Sequence, residues 1–166
     1  MRIPIYLDHN ATTPVDPDVL EAMLPYFQHQ FGNPASKTHR FGWDADSAVD
    51  NAREQIATAI SARSREIILT SGATESNNLA ILGVATRHHG DPGEIITCAT
   101  EHKAVLDPCR SLEQKGWKIH RLAPDRTGRI RPSQVEKLLS PHTALVSVMA
   151  ANNETGALQP IAEIGA

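Results

Sequence analysis

The chain has 166 residues, with 40% apolar and 21% charged residues and a formal net charge of −3. This length supports one ordinary domain with a real core, and the balance offers no basic footprint for nucleic acid, no apolar run long enough to span a membrane and no apolar stretch of signal-peptide type in residues 1–6. Only Cys98 and Cys109 are present, so a disulfide framework is not expected and a reducing, cytoplasmic setting is the default.

Residues 3–7 read as a short strand and residues 8–14 as a polar loop. Asp16 and Pro17 form a helix start, a cap residue followed by proline in the first turn. Val19, Leu20, Met23, Leu24 and Phe27 then recur at helical spacing, and Pro25 is expected to kink that helix or end it early. Residues 31–43 carry Gly32, Pro34 and Gly42 and read as an irregular loop. Phe31, Phe41 and Trp43 in it must pack on the chain's own core or on a partner subunit. From Ala45, the apolar positions Ala48, Val49, Ala52, Ile56, Ala59 and Ile60 give a one-faced helix.

The stretch 66–70 reads as a buried strand, and residues 79–85 read as a helix. Between them, Thr70-Ser71-Gly72-Ala73-Thr74-Glu75-Ser76-Asn77-Asn78 is a turn of small and polar residues. Helix-first amides at such a turn lack intrahelical partners and favour an anion, to which Ser and Thr hydroxyls can add donors. From this stretch alone an ordinary N-cap by Ser71 or Thr74 is the simpler reading. The Gly-Lys-Ser/Thr ending of a Walker loop is missing.

His88-His89 has no partner at metal spacing and is expected on an exposed helix end. Residues 93–98 read as a strand, 100–102 as a turn and 104–112 as a helix weakened by Pro108 and closed by Gly116. Residues 117–122 alternate with period two and read as a strand. A loop at 124–128 and a short helix at 133–139 follow, then a continuous apolar strand at 143–149 and a polar turn at 150–156. Residues 161–166 look like the first turn and a half of a helix. This alternation of strand and helix argues for an α/β fold: a mostly parallel sheet with helices on both faces. No linker, internal repeat or low-complexity tract divides the chain.

Ligands in such folds bind beyond the carboxyl ends of the strands. Turns at 71–78, 100–103 and 152–156 each follow a predicted strand, and parallel strands would bring all three to one sheet edge. That edge would hold phosphate donors, the imidazole of His102 with Glu101 beside it, and the amide pair Asn152-Asn153. The set suits an anionic, planar, hydrogen-bonding ligand better than a metal. Turn chemistry alone also accounts for the asparagines, and plain packing accounts for Cys98 and Cys109. Lys103, on a helix, is expected to point to solvent.

Five stretches in order carry a resemblance: Tyr6-Leu7-Asp8-His9-Asn10-Ala11-Thr12-Thr13-Pro14, Phe31-Gly32-Asn33-Pro34-Ala35-Ser36, Thr70-Ser71-Gly72-Ala73-Thr74-Glu75-Ser76, Glu101-His102-Lys103-Ala104-Val105-Leu106 and residues 146–156. Together they resemble the N-terminal half of a cysteine desulfurase, of the branch that feeds iron–sulfur cluster assembly and nitrogenase maturation. The resemblance implies the fold type I of pyridoxal 5′-phosphate (PLP) transferases with an incomplete large domain. Residues 1–15 would belong to the small domain and 16–166 to the PLP-binding large domain.

It further implies PLP as cofactor and L-cysteine as substrate, with alanine as product and a persulfide passed to an iron–sulfur scaffold protein. By position, Ala73 and Thr74 would bind the cofactor phosphate. His102 would stack on the pyridine ring and serve in proton transfer, Asn153 would hydrogen-bond the ring's phenolic oxygen, and Asn33 would line the substrate side near a homodimer interface. The family's Schiff-base lysine, its pyridine-pairing aspartate and its persulfide cysteine would lie beyond residue 166. A truncated or split product, inactive alone, that needs a complementary C-terminal chain is therefore expected. The alternatives are a non-catalytic remnant that pairs with a full-length relative, or a fragment of a related class V aminotransferase or selenocysteine lyase.

Overall fold

The computed structural model describes residues 4–88 and 91–166. These fall into two compact units, Met1–Leu69 and Thr70–Ala166.

In the first unit, helix α1 spans Pro17–Gln28. Asp16 caps it, its Oδ1 accepting the Asp18 N–H at 2.9 Å. Contrary to expectation, α1 runs three residues past Pro25. Proline so close to the C-terminal end removes one hydrogen bond, and the Pro25 carbonyl still accepts the His29 and Gln30 amides at 2.8 Å. The strand expected at 3–7 is absent from residues 4–7, which are exposed and unpaired in any ladder, while Ile3 lies outside the described residues.

Helix α2 spans Arg40–Ala59, five residues longer at its start than the apolar pattern indicates. Phe41 and Trp43 therefore stand on a helix and not in a loop. Local bonds explain the early start. His39 Nδ1 accepts the Gly42 N–H at 3.3 Å, and Trp43 Nε1 donates to the Lys37 carbonyl at 2.8 Å. Gly42 is required by close approach: a Cβ there would lie 1.8 Å from the Ser36 carbonyl oxygen. A 3-10 turn follows at Ser64–Glu66. The buried strand expected at 66–70 is not formed. Residues 67–70 lie in no ladder, and Ile68 and Leu69 are exposed. An apolar run becomes a strand only where a neighbour accepts its hydrogen bonds, and among the described residues none does.

The second unit holds helix α3 (Ala73–Arg87), strand β1 (Glu94–Cys98), helix α4 (Lys103–Glu113), strand β2 (Lys118–Leu122), helix α5 (Pro132–Glu136), strand β3 (Thr143–Ser147) and helix α6 (Ile161–Gly165). The six N-terminal residues of α3 fall in the stretch whose composition reads as a turn; their short polar side chains conceal a helix start. His88 is the C-cap of α3, its ring edge-on to Trp117 at 5.2 Å, while His89 lies outside the described residues.

The sheet has the order β2-β1-β3, all parallel, with Ile95 opposite Ile119 and Leu145. Successive residues of β1 face opposite sides. Ile95 joins Ile81, Val105, Cys109, Leu112 and Trp117 under α3 and α4. Ile96 and Cys98 join Leu122, Ile130 and Val135 under α5, with Ile164 of α6 packed against them. Helices thus cover both faces of a parallel sheet, a three-layer α/β arrangement. Full burial of each such side chain contributes about 1.5–3 kcal/mol.

Helix α4 shows why Pro108 does not end it. Ala104, Val105, Pro108, Cys109 and Leu112 form one buried stripe. Burial of that stripe outweighs the roughly 3 kcal/mol that an interior proline costs. Both cysteines are fully buried free thiols, in the packing role expected for them.

Candidate functional site

The turn before α3 is built by its glycine. Gly72 is the N-cap, at φ 154° and ψ −178°, a region open essentially to glycine alone. It brings no side chain, so no side-chain cap occupies the first amides of α3. Three of the hydroxyls nearby are spent within the turn. Ser71 donates both its N–H and its Oγ–H to Glu75 Oε2, each at 2.6 Å. Thr70 Oγ1 lies 2.7 Å from Ser76 Oγ and 3.2 Å from the Gly72 carbonyl. The Ser71 bonds hold the Glu75 carboxyl below its ordinary pKa. Among the described residues the Thr74 hydroxyl takes part in none of these bonds, although the Thr74 carbonyl accepts Asn78 Nδ2 at 2.9 Å. Ser71, the rival cap residue, is thereby committed to Glu75.

The turn after β1 places His102 as N-cap of α4. Its Nδ1 accepts the Ala104 N–H at 3.1 Å. An accepting Nδ1 carries no proton, so the neutral ring bears its proton on Nε2. The preceding residue, Glu101, is buried at 8% exposure, and its Oε1 accepts the Met149 N–H at 2.6 Å. Burial pushes this carboxyl above its usual value, against the pull of the Met149 N–H.

The turn after β3 is organised by Asn152. Its Oδ1 accepts the Glu154 and Thr155 amides at 3.0 and 2.9 Å and the Thr155 hydroxyl at 3.1 Å. Its Nδ2 donates to the Thr100 carbonyl at 3.1 Å. Asn152 is buried at 8%, whereas Asn153 is exposed. The two amides of the pair have separate work: one builds the loop, the other is displayed on it.

A cleft of about 380 Å³ between α3 and α4 brings Thr74 and His102 together, with Lys103, Asn78, Asp107 and Ser111 on its walls. Lys103 is exposed as expected, yet it also lines this cleft and is its cation. Asn33 belongs to the first unit. There its Oδ1 accepts the Ala35 N–H at 2.9 Å and its carbonyl accepts the Ser36 N–H at 3.0 Å, a tight asparagine turn. Among the described residues no cluster of three or more His, Cys, Asp or Glu could hold a metal.

Sequence reasoning brings Glu101 and Asn152 to the sheet edge but assigns neither of them the bonds seen here. Both carry a signal: an acid flanked by Thr100 and His102 at a strand end, and an asparagine with Thr155 three positions on, the spacing of a side-chain-closed turn.

Residues 5–166 match the model of the aminotransferase class-V family. The chain belongs to that family. It is 57% identical over 165 residues to the cysteine desulfurase IscS of Anaeromyxobacter sp. (strain K), covering 99% of this chain and 41% of that protein. It is 52% identical over 162 residues to a cysteine desulfurase of Rattus norvegicus, covering 98% and 36%. A solved NifS-like protein superposes with a TM-score of 0.93 at 40% identity, covering 98% of this chain and 44% of that one. A structure described as SspA in complex with cysteine superposes at 0.91 with 42% identity, covering 96% and 46%. The family and these neighbours establish the fold as that of fold type I PLP-dependent cysteine desulfurases. The chain spans about two-fifths of the length of the relatives it matches.

Proposed function

We propose that this chain contributes the cofactor-phosphate cradle and ring-facing wall of a PLP-dependent cysteine desulfurase. The observation that carries this reading is the single cleft shared by Thr74, at the first turn of α3, and His102, at the N-cap of α4. Its residues suit the cofactor. The first amides of α3 have no side-chain cap, Gly72 presents no Cβ, the Thr74 hydroxyl is not engaged by the turn, and Lys103 supplies a positive charge against the negative charge of Asp107 on the same cleft.

In this reading Ala73 and Thr74 bind the phosphate through backbone N–H and hydroxyl. His102 packs its ring against the pyridine, with Nδ1 tied to the helix and the proton on Nε2. Asn153 donates to the phenolic oxygen, and Asn33 lines the substrate side. PLP, when bound, supplies the electron sink for cleaving the carbon–sulfur bond of L-cysteine. Alanine leaves, and the sulfur passes as a persulfide to an iron–sulfur scaffold protein. Residues 1–15 belong to the small domain and 16–166 to the cofactor domain of a homodimeric enzyme. The lysine that holds the cofactor covalently and the persulfide cysteine are supplied outside residues 1–166, on the same polypeptide or on a complementary chain.

Titration of the chain with PLP, followed by absorbance and fluorescence, tests this. Thr74→Val, which removes a charge-assisted hydrogen bond to the phosphate, and His102→Ala, which removes a stacked ring, are each expected to weaken binding about tenfold or more. Sulfide release from L-cysteine is expected only once the remaining part of the fold is present. Turnover by residues 1–166 alone would overturn the assignment of the lysine, and unaltered PLP binding by both variants would overturn the cradle.

A further inference from the structure

His102 and Asn153 stand on two different turns, and consecutive positions join those turns. Thr100 and Glu101 each bond the segment after β3, and His102 caps α4. The Thr100 carbonyl takes Asn152 Nδ2 at 3.1 Å, the Glu101 carboxylate takes the Met149 N–H at 2.6 Å, and His102 Nδ1 takes the Ala104 N–H at 3.1 Å. The first two bonds cross from the end of β1 to the segment after β3, spanning 52 and 48 residues of sequence. Both side chains that make them are buried, Glu101 and Asn152 at 8% exposure. Asn152 Oδ1 in turn closes the loop that displays Asn153.

A buried carboxylate is costly unless a specific partner compensates it. An apolar residue beside His102 would fill the same space without that cost. We infer that Glu101 and Asn152 are positioning residues: a paired clip that fixes the His102 turn, which lines the cleft, to the loop that carries Asn153. The inference rests on the reading of the site given above. Neither residue touches the cofactor in it; each acts through the backbone it holds.

The clip has a testable asymmetry. Met149 needs an acceptor and not a charge, so Glu101→Gln keeps the bond and Glu101→Ala loses it. In the 166-residue chain, amide exchange and His102 ring signals can be followed by NMR without ligand. Glu101→Ala is expected to speed exchange at Met149 by tenfold or more, and also to speed exchange at Glu154 and Thr155 and to shift the His102 ring resonances. Asn152→Ala is expected to disturb the same His102 signals from the other side. Glu101→Gln should leave all of them within about threefold of the parent. Pyridoxamine 5′-phosphate binding should then fall about tenfold in both alanine variants and return in Glu101→Gln.

The two alanine variants keep the test open should one of them fail to fold. Exchange that rises only at Met149 in Glu101→Ala, with His102 and the 154–155 amides unmoved, would overturn the clip, as would a glutamine variant that behaves like the alanine one. If the parent chain does not bind pyridoxamine 5′-phosphate while the NMR coupling is present, the cofactor reading fails and the clip stands.

Discussion

Gly72 sets the turn before α3 through its backbone alone. A Cβ added there meets nothing within 4 Å, so steric contact is not the constraint. Its φ of 154° with ψ of −178° is what other residues resist. Gly72→Ala is expected to destabilise the chain by about 1–3 kcal/mol, read as a shift in urea midpoint with an unchanged slope. His102 offers a spectroscopic check at the same scale: nitrogen chemical shifts of the neutral ring should place its proton on Nε2, because Nδ1 caps α4. Glu101 adds a pH dependence. Its carboxyl titrates above its ordinary value of 4.5 because it is buried. A raised carboxyl binds protons more tightly in the folded state, so its contribution to stability is present below 4.5 and is lost as pH rises through the folded value. Glu101→Gln removes that loss. The stability of Glu101→Gln relative to the parent should therefore grow between pH 4 and pH 7 in urea titrations; a difference that shrinks with rising pH contradicts the assignment.

Among the elements, α4 and β2 are joined by a two-pronged ion pair. Arg121 Nη1 and Nη2 lie 2.9 Å from Glu113 Oε1 and Oε2. The pair is a third to nearly a half exposed, so its worth is small despite ideal geometry. Arg121→Lys, which cannot reproduce the fork, is expected to cost less than about 1 kcal/mol in urea unfolding. The elements of the second unit are legible because β1 and β3 are short apolar runs bounded by turn residues, β2 alternates with period two, and the stripe of α4 is strictly periodic. Two kinds of element were misread. Residues 66–70 have strand composition but no ladder, since pairing is a property of neighbours and not of the run itself. Residues 73–78 and 40–44 are helical though polar or aromatic. Their helical state comes from caps and close contacts at Gly72, His39 and Gly42, which no periodicity records. The sequence brings Thr74 and His102 to one edge as turns after strands; the two do share a cleft, although the strand before the Thr74 turn is not formed. The division of labour between Asn152 and Asn153 depends on which of the two is buried, and sequence does not state that.

For the molecule as a whole, apolar surface outruns its cover. Helix α1 has no buried residue, and Val19, Leu20, Met23, Leu24 and Phe27 on it are all more than 40% exposed. Twelve residues of helix are marginal in water without such a face being covered. Patches of this kind mark surfaces that associate. Residues 1–166 at micromolar concentration are expected to bind a hydrophobic dye and to sediment as more than monomer. A single monomeric boundary with no dye binding runs against this. Family membership and fold were evident from five motifs at once, because each motif combines a backbone requirement with a chemical one and leaves few substitutes.

The bond from Glu101 to Met149 also orders events in time. It joins positions 48 residues apart, a loop whose closure must precede any reward from the contact. As a ribosome extends the chain, β1 and the start of α4 emerge long before residue 149 does. Through that interval the Glu101 carboxyl has no Met149 N–H to accept. The His102 turn is clasped to the Asn152 loop only when β3 docks, so slowed amide exchange at Met149 reports that the sheet has been assembled through its third strand.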